Sequence, residues 1–225
     1  MSRADNYRRW QFEMVAPYVK GKVLEVGGGI GNFTLELASV ADSVTTIEPN
    51  AYCFGRLAEK TRNHSKIQAY NTTVESLNKH LSEAEKLDTL VLMNVLEHLE
   101  DDHQVLEQLK RRLKPGGRVV LLVPAANWAF GKLDERLGHY RRYSKSYARK
   151  LMSGVNLQIE KMRYFNFIGL WAWWWNAKIA RRENQNDAQI RLFDKYFVPC
   201  IARIEKMIHP PIGQTLLVVA RNQSA

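Results

Sequence analysis

Lys22-Val-Leu-Glu25-Val-Gly27-Gly28-Gly29-Ile-Gly31 is a short β-type run that stops abruptly at a cluster of glycines. Helical spacing resumes at once, with Phe33, Leu35 and Leu37 apolar between Asn32 and Ala38. Glycines placed where a strand must turn into a helix leave bare backbone against which a nucleotide-like ligand can lie. The spacing belongs neither to the dinucleotide G-x-G-x-x-G pattern nor to a P-loop. There is no third glycine three residues beyond Gly29, and no Gly-Lys-Ser/Thr follows.

The alternation continues outward from this unit. A helix over Tyr7 to Val15 ends at Pro17, and residues 1–20 are read as a capping segment. Strand Ser43–Ile47 is followed by a helix over Ala51–Arg62, then strands over Ile67–Tyr70 and Leu87–Met93. The spacing predicts a helix over Asp101–Leu113, stopped by Pro115-Gly116-Gly117, and a fifth strand over Arg118–Val123. Beyond Pro124 come a basic loop to Ser144, a helix over Lys145–Ser153, a strand over Leu157–Tyr164, an aromatic-rich helical insertion over residues 165–212 and a last strand, Gln214–Ala220. Strands alternating with helices imply a doubly wound, mostly parallel α/β sheet in one domain, residues 1–225, with ligands at the carboxyl ends of the strands.

Glu48 stands about 20 residues past the glycines, where a doubly wound fold places a carboxylate able to accept from both ribose hydroxyls. The ordered series resembles the class I S-adenosylmethionine-dependent methyltransferases, and in particular a bacterial small-molecule subgroup. Val-Leu-Glu25-Val-Gly27-Gly-Gly29-Ile-Gly31 is similar to their first motif and Ile47-Glu48-Pro49 to their ribose acid. Leu92-Met-Asn94-Val-Leu-Glu97-His98 and Lys114-Pro-Gly-Gly117 are similar to the segments around their fourth and fifth strands. The resemblance implies a seven-stranded Rossmann-like sheet and S-adenosyl-L-methionine as cofactor. Its implied contacts are Glu25, Gly27, Gly28 and Gly29 at the glycine loop, Glu48 on the ribose, Thr73 and Val74 near the adenine, and Asn94 beside the sulfonium. Asn71-Thr-Thr73-Val74-Glu75 departs from the family by lacking the usual Asp near the adenine.

Methyl transfer from a sulfonium is an in-line displacement that needs positioning and sometimes a base. His98 and His139 are candidate bases, since imidazole titrates near neutrality, with Tyr140 beside them. Arg141, Arg142, Tyr143 and Trp174 are candidate acceptor-binding residues. At helical spacing Trp171, Trp174, Trp175 and Lys178 share one face, which suits a core, a dimer partner, a lid or a membrane interface.

With 45% hydrophobic and 25% charged residues the chain is neither disordered nor collagen-like. The net charge of +10 points to nucleic acid, an anionic membrane or an anionic small molecule. Cys53 and Cys200, far apart, form neither a disulfide framework nor a zinc pattern, and no metal is expected. Glu97-His98 beside Asp101-Asp102 reads as an acid-rich helix start. No run approaches the roughly 20 apolar residues of a membrane span, and the polar start lacks signal-peptide layout. Together these imply a cytoplasmic enzyme, peripheral to the inner membrane face where it meets a membrane at all. It would methylate a small-molecule or lipid-linked acceptor, most readily at oxygen, as a monomer or homodimer. RNA methyl transfer and non-catalytic cofactor binding are the alternatives, although nucleic acid is disfavoured because the fourth-strand segment lacks Asn/Asp-Pro-Pro-Tyr/Phe.

Overall fold

The computed structural model describes residues 4–82, 84–175 and 187–223. Its strands are β1 (Lys22–Val26), β2 (Ser43–Ile47), β3 (Ile67–Tyr70), β4 (Leu87–Met93), β5 (Leu113–Pro124), β6 (Leu157–Phe165) and β7 (Thr215–Asn222). They form a seven-stranded sheet in the order β3-β2-β1-β4-β5-β7-β6. The first five strands pair in parallel, and β7 runs antiparallel between β5 and β6. In β4, Leu90, Val91 and Leu92 are all fully buried, which is why this strand reads as a continuous apolar run.

Helices cover both faces: α1 (Asp5–Val15), α2 (Asn32–Ala38), α3 (Ala51–Thr61), α4 (Asp102–Lys110), α5 (Lys132–Arg136), α6 (Lys145–Gly154), α7 (Phe167–Trp174), α8 (Asp187–Tyr196) and α9 (Val198–Met207). One core layer contains Leu24, Leu90, Leu92, Leu106 and Met152. The other contains Val23, Val91, Val120, Trp10, Phe165 and Ile201, so α1 and the insertion helix α9 share a face of the sheet. The chain builds outward from β1 to β3 and then returns to β4 on the other side of β1. That reversal opens a crevice at the carboxyl ends of β1 and β4.

Two sequence expectations need correction. The helix before the fifth strand stops at Lys110, and β5 begins at Leu113, which pairs with Leu87 before the ladder resumes at Thr89 and Arg118. The cause is Arg112, whose buried guanidinium donates to the Leu81 carbonyl at 3.1 Å and draws the chain into the sheet. The stretch read as a plain loop before Ser144 contains a 3-10 turn, Asn127–Ala129, and α5. Lys178, assigned with the tryptophans to one helix face, lies outside the described residues.

Buried carboxylates tie the outer helices down. Helix α1 has no side-chain cap of its own, and Asp194 of α8 accepts from the Asn6 and Tyr7 amides at 3.0 and 2.8 Å. Glu205 of α9 accepts from the Asn166 and Phe167 amides at 2.9 and 2.8 Å, at the start of α7. Each carboxylate satisfies amides that a helix start leaves unpaired and meets the positive end of the dipole. Glu25, on β1, is buried under the glycine loop, and its Oε2 accepts the Thr34 and Thr46 hydroxyls at 2.6 and 2.8 Å. It thereby joins β1 to β2 and α2. Burial raises its carboxyl pKa above the ordinary value, against the two hydroxyl donors.

Asp194→Ala is expected to lower unfolding free energy by about 1–3 kcal/mol, read from a urea midpoint, because two amides lose a charged acceptor. A folded-state pKa raised at Glu25 means that the folded chain holds the proton more tightly than the unfolded one. Its contribution is therefore fully present below the ordinary carboxylate range and is lost as pH rises through the raised value. The melting temperature of Glu25→Gln relative to the native chain should accordingly increase as pH rises above the ordinary carboxylate range; a constant difference would contradict the assignment.

Candidate functional site

The glycine loop curls over the end of β2, with the Gly27 and Gly28 amides both donating to the Ile47 carbonyl at 2.8 and 3.0 Å. Gly27, at φ +78°, lies so close to the segment after β4 that a Cβ there would stand 2.5 Å from Val95 Cγ2. Gly29, at φ +55°, is different, because a Cβ there would meet nothing within 4 Å. Its amide donates to Glu48 Oε2 at 2.8 Å, and Glu48 Oε1 accepts from the Asn50 amide at 2.9 Å. Asn71, just past β3, donates from Nδ2 to the Glu48 carbonyl at 2.7 Å. The ends of β1, β2 and β3 are thus held together around one residue, Glu48, through its carboxylate and its main-chain carbonyl.

Asn94 continues the edge at the end of β4 with a left-handed backbone, φ 54°, and its amide is fixed on the Leu122 carbonyl at 2.8 Å. A non-glycine residue in that conformation at a strand end is a frequent mark of a functional position. Thr73 is exposed beyond β3, whereas Val74 is buried in the core and its carbonyl accepts from Gln108 at 3.0 Å. The carboxyl ends of four neighbouring strands therefore bring Gly27 to Gly29, Glu48, Thr73 and Asn94 to one edge. Glu25 is not among them, since its side chain is enclosed behind the loop.

These residues fit an adenosyl ligand. The open side of Gly29 leaves room against bare backbone. A carboxylate has about four acceptor positions, and the two amides on Glu48 leave others to meet a ribose diol.

Beside Asn94, the 3-10 turn Leu96–His98 carries a second group. The His98 and His139 rings meet edge to face with centroids 4.8 Å apart. His139 Nδ1 lies 2.9 Å from Asp134 Oδ1, and Asp134 is fully buried. Arg142 bonds the same oxygen from Nε at 2.9 Å and reaches the Ala125 carbonyl from Nη1 at 3.0 Å. Burial opposes ionisation of Asp134, but hydrogen bonds from His139 and Arg142, with the Arg142 charge, hold its carboxyl below the ordinary range. Glu97 is buried with no partner for Oε2, and burial pushes its carboxyl up to about 8. Burial and then the neighbouring His139 lower His98. The loop carrying His139 is pinned to this turn by the Tyr140 amide, which donates to the Glu97 carbonyl at 2.7 Å.

Of the expected acceptor residues, Arg142 and Tyr143 are corrected. Arg142 is enclosed and spent on Asp134, and Tyr143 is buried with its hydroxyl donating to Asp102 Oδ2 at 2.9 Å. Arg141 is partly exposed but also pairs with Asp102, at 3.2 Å. Tyr140 is exposed. Trp174 is half-buried edge-on to Trp171, while its neighbour Trp173 lies under the Arg142 guanidinium at 4.6 Å. Sequence reading missed Asp134 and Asp102, the two buried acids that organise this loop. Their only signal was a carboxylate five residues before His139 and another within an acid-rich helix start.

Residues 8–174 match the methyltransferase domain family. Among curated proteins the chain is similar to a ubiquinone biosynthesis O-methyltransferase of Rickettsia bellii, at 23% identity over 63% of each chain. It is also similar to a tRNA U34 carboxymethyltransferase of Psychrobacter cryohalolentis, at 30% identity over 50% of this chain and 35% of that protein. The chain spans less than two thirds of the length of both relatives. In fold it is similar to the N-methyltransferase NodS of Bradyrhizobium japonicum, solved with S-adenosyl-L-homocysteine. The TM-score is 0.61 at 18% identity, covering 98% of this chain and 88% of that one. With the strand order, the glycine loop and Glu48 in place, the chain belongs to the methyltransferase domain family and shares the fold of solved S-adenosylmethionine-dependent methyltransferases.

Proposed function

We propose that the chain transfers the methyl group of S-adenosylmethionine to an oxygen of a small-molecule or lipid-linked acceptor. The observation that carries this reading is the Glu48 carboxylate fixed on the Gly29 amide at 2.8 Å, on the same edge as the His98 and His139 pair. When bound, S-adenosylmethionine supplies an electrophilic methyl carbon. In this reading the backbone of Gly27 to Gly29 lies along its methionine part, Glu48 accepts from the ribose, Thr73 borders the adenine and Asn94 flanks the sulfonium. His98, His139 and Tyr140 face the acceptor and manage its hydroxyl proton, and Arg141 and Trp174 border its pocket. The Asp134 carboxylate accepts from His139 Nδ1, which leaves Nε2 as the ring nitrogen with a free lone pair.

A lipid-linked acceptor is supported by the surface of α8 and α9. Leu192, Phe197, Ile204, Met207 and Ile208 are exposed there among Arg191, Lys195, Arg203 and Lys206. Between Arg191 and Ile208 the acids, Asp194 and Glu205, are both buried as helix caps, so the charge exposed there is basic. Apolar side chains within a basic surface suit peripheral contact with an anionic membrane face. No described helix is long and apolar enough to cross a membrane. The net charge of +10 and the tRNA-modifying relative favour RNA as a second reading.

Calorimetry with S-adenosylhomocysteine should show binding weakened roughly 10–100-fold in Glu48→Ala, the loss of a charged hydrogen-bond acceptor. Gly29→Val should bind no better, because a β-branched residue is strained at positive φ; native affinity in both variants would remove the site. Radiolabelled methyl groups are expected in the organic extract of a bacterial lysate and not in its RNA, and His139→Ala should lower that transfer while keeping cofactor affinity. Label confined to RNA would replace the acceptor assignment.

A further inference from the structure

We propose that Glu97, His98 and His139 form a divalent transition-metal site, of the zinc class, on the acceptor side of the donor pocket. A carboxylate oxygen of Glu97 and one ring nitrogen from each histidine lie within 4.8 Å of one another. Glu97 is 1% exposed, and its Oε2 has no hydrogen-bond partner, an arrangement that a buried carboxylate does not sustain without a cation or a proton.

The surroundings of the histidines match those of metal ligands. A ligating imidazole fixes its other nitrogen on a carboxylate or carbonyl, which sets the tautomer and ring orientation. His139 Nδ1 is fixed on Asp134, itself held by the buried Arg142. The His98 ring is hydrogen-bonded to the Gly138 backbone. Zinc bound at about 2.0–2.2 Å places tetrahedral ligand atoms roughly 3.4 Å apart, so closure requires a side-chain adjustment, which the exposed position of His98 accommodates. Two imidazoles and one carboxylate select a transition cation over magnesium or calcium, which take oxygen ligands. Three protein ligands leave a coordination position open, as a catalytic rather than a structural site does.

Resting on the methyl-transfer reading for its use but not for its geometry, the site assigns a role to the acceptor hydroxyl. With both imidazoles ligating the cation in place of acting as bases, the coordinated hydroxyl gives its proton to solvent. The oxygen then forms its bond to the methyl carbon as the sulfur–methyl bond breaks and its electron pair returns to sulfur. The sequence reading had placed Glu97 and His98 beside Asp101 and Asp102 and assigned no metal. The missing partner was His139, about 40 residues away in sequence and brought in by the loop after β5.

The test is calorimetric titration of Zn²⁺ into the chelator-treated full chain, with Mg²⁺ as comparison and S-adenosylhomocysteine affinity measured in parallel. One equivalent of Zn²⁺ should bind, Mg²⁺ much more weakly. Glu97→Gln, His139→Ala and the surface variant His98→Ala should each lose the Zn²⁺ site while keeping S-adenosylhomocysteine affinity. Asp134→Asn should weaken Zn²⁺ roughly 10–100-fold, as loss of an outer-shell partner does. Zn²⁺ affinity unchanged in His98→Ala and Glu97→Gln overturns the proposal and leaves the donor-site reading standing. Zn²⁺ binding that follows this pattern in a chain with no affinity for S-adenosylhomocysteine supports the metal site and rejects the donor-site reading.

Discussion

The hydrogen bond from the Gly29 amide to the Glu48 carboxylate, 2.8 Å long, is the contact on which the functional edge depends. It joins the turn after β1 to the end of β2, and through Asn71 the same residue gathers the end of β3. A parallel sheet aligns strand ends but does not by itself hold the loops that leave them. Here Glu48 does so, its carboxylate accepting from the Gly29 and Asn50 amides and its main-chain carbonyl from Asn71. Behind it, Glu25 repeats the arrangement in the interior by drawing hydroxyls from α2 and β2.

The carboxyl half of the chain applies the same chemistry to its helices and to the acceptor loop. Asp194 and Glu205 close helix starts far from them in sequence, and Asp134 and Asp102 collect the basic residues around His139. A buried ion pair such as Asp134 with Arg142 gains little net stability over an apolar replacement of the same shape. Its consequence is orientation, since it leaves His139 one arrangement of its ring. Trp173 lies on the outer face of Arg142, so the insertion helix α7 packs directly on that arrangement.

The parallel half was readable from sequence because its signals are local. β1, α2, β2, β3 and β4 begin and end where apolar periodicity and glycine or proline punctuation place them. The start of β5 was not, since it depends on Arg112 facing inward to carbonyls about 30 residues earlier, which periodicity does not encode. Glu48 was legible because its distance from the glycines follows from the fold. Arg142 and Tyr143 misled for the opposite reason. A run of basic and aromatic residues in a loop looks like a binding surface, and only the buried acids that consume two of its members show otherwise. His139 and Glu97 could not be joined on the page of the sequence, because their meeting is a product of the β5 crossover.

The central claim is that the strand-end edge around Glu48 is the methyl-donor site and that its histidine side receives the acceptor. A crystal structure of the full chain with S-adenosylhomocysteine tests this most directly. The account predicts ribose hydroxyls on the Glu48 carboxylate, the ligand backbone across Gly29, and the sulfur facing the His98 and His139 side of Asn94. A ligand bound elsewhere, or one whose sulfur faces away from the histidines, would contradict it.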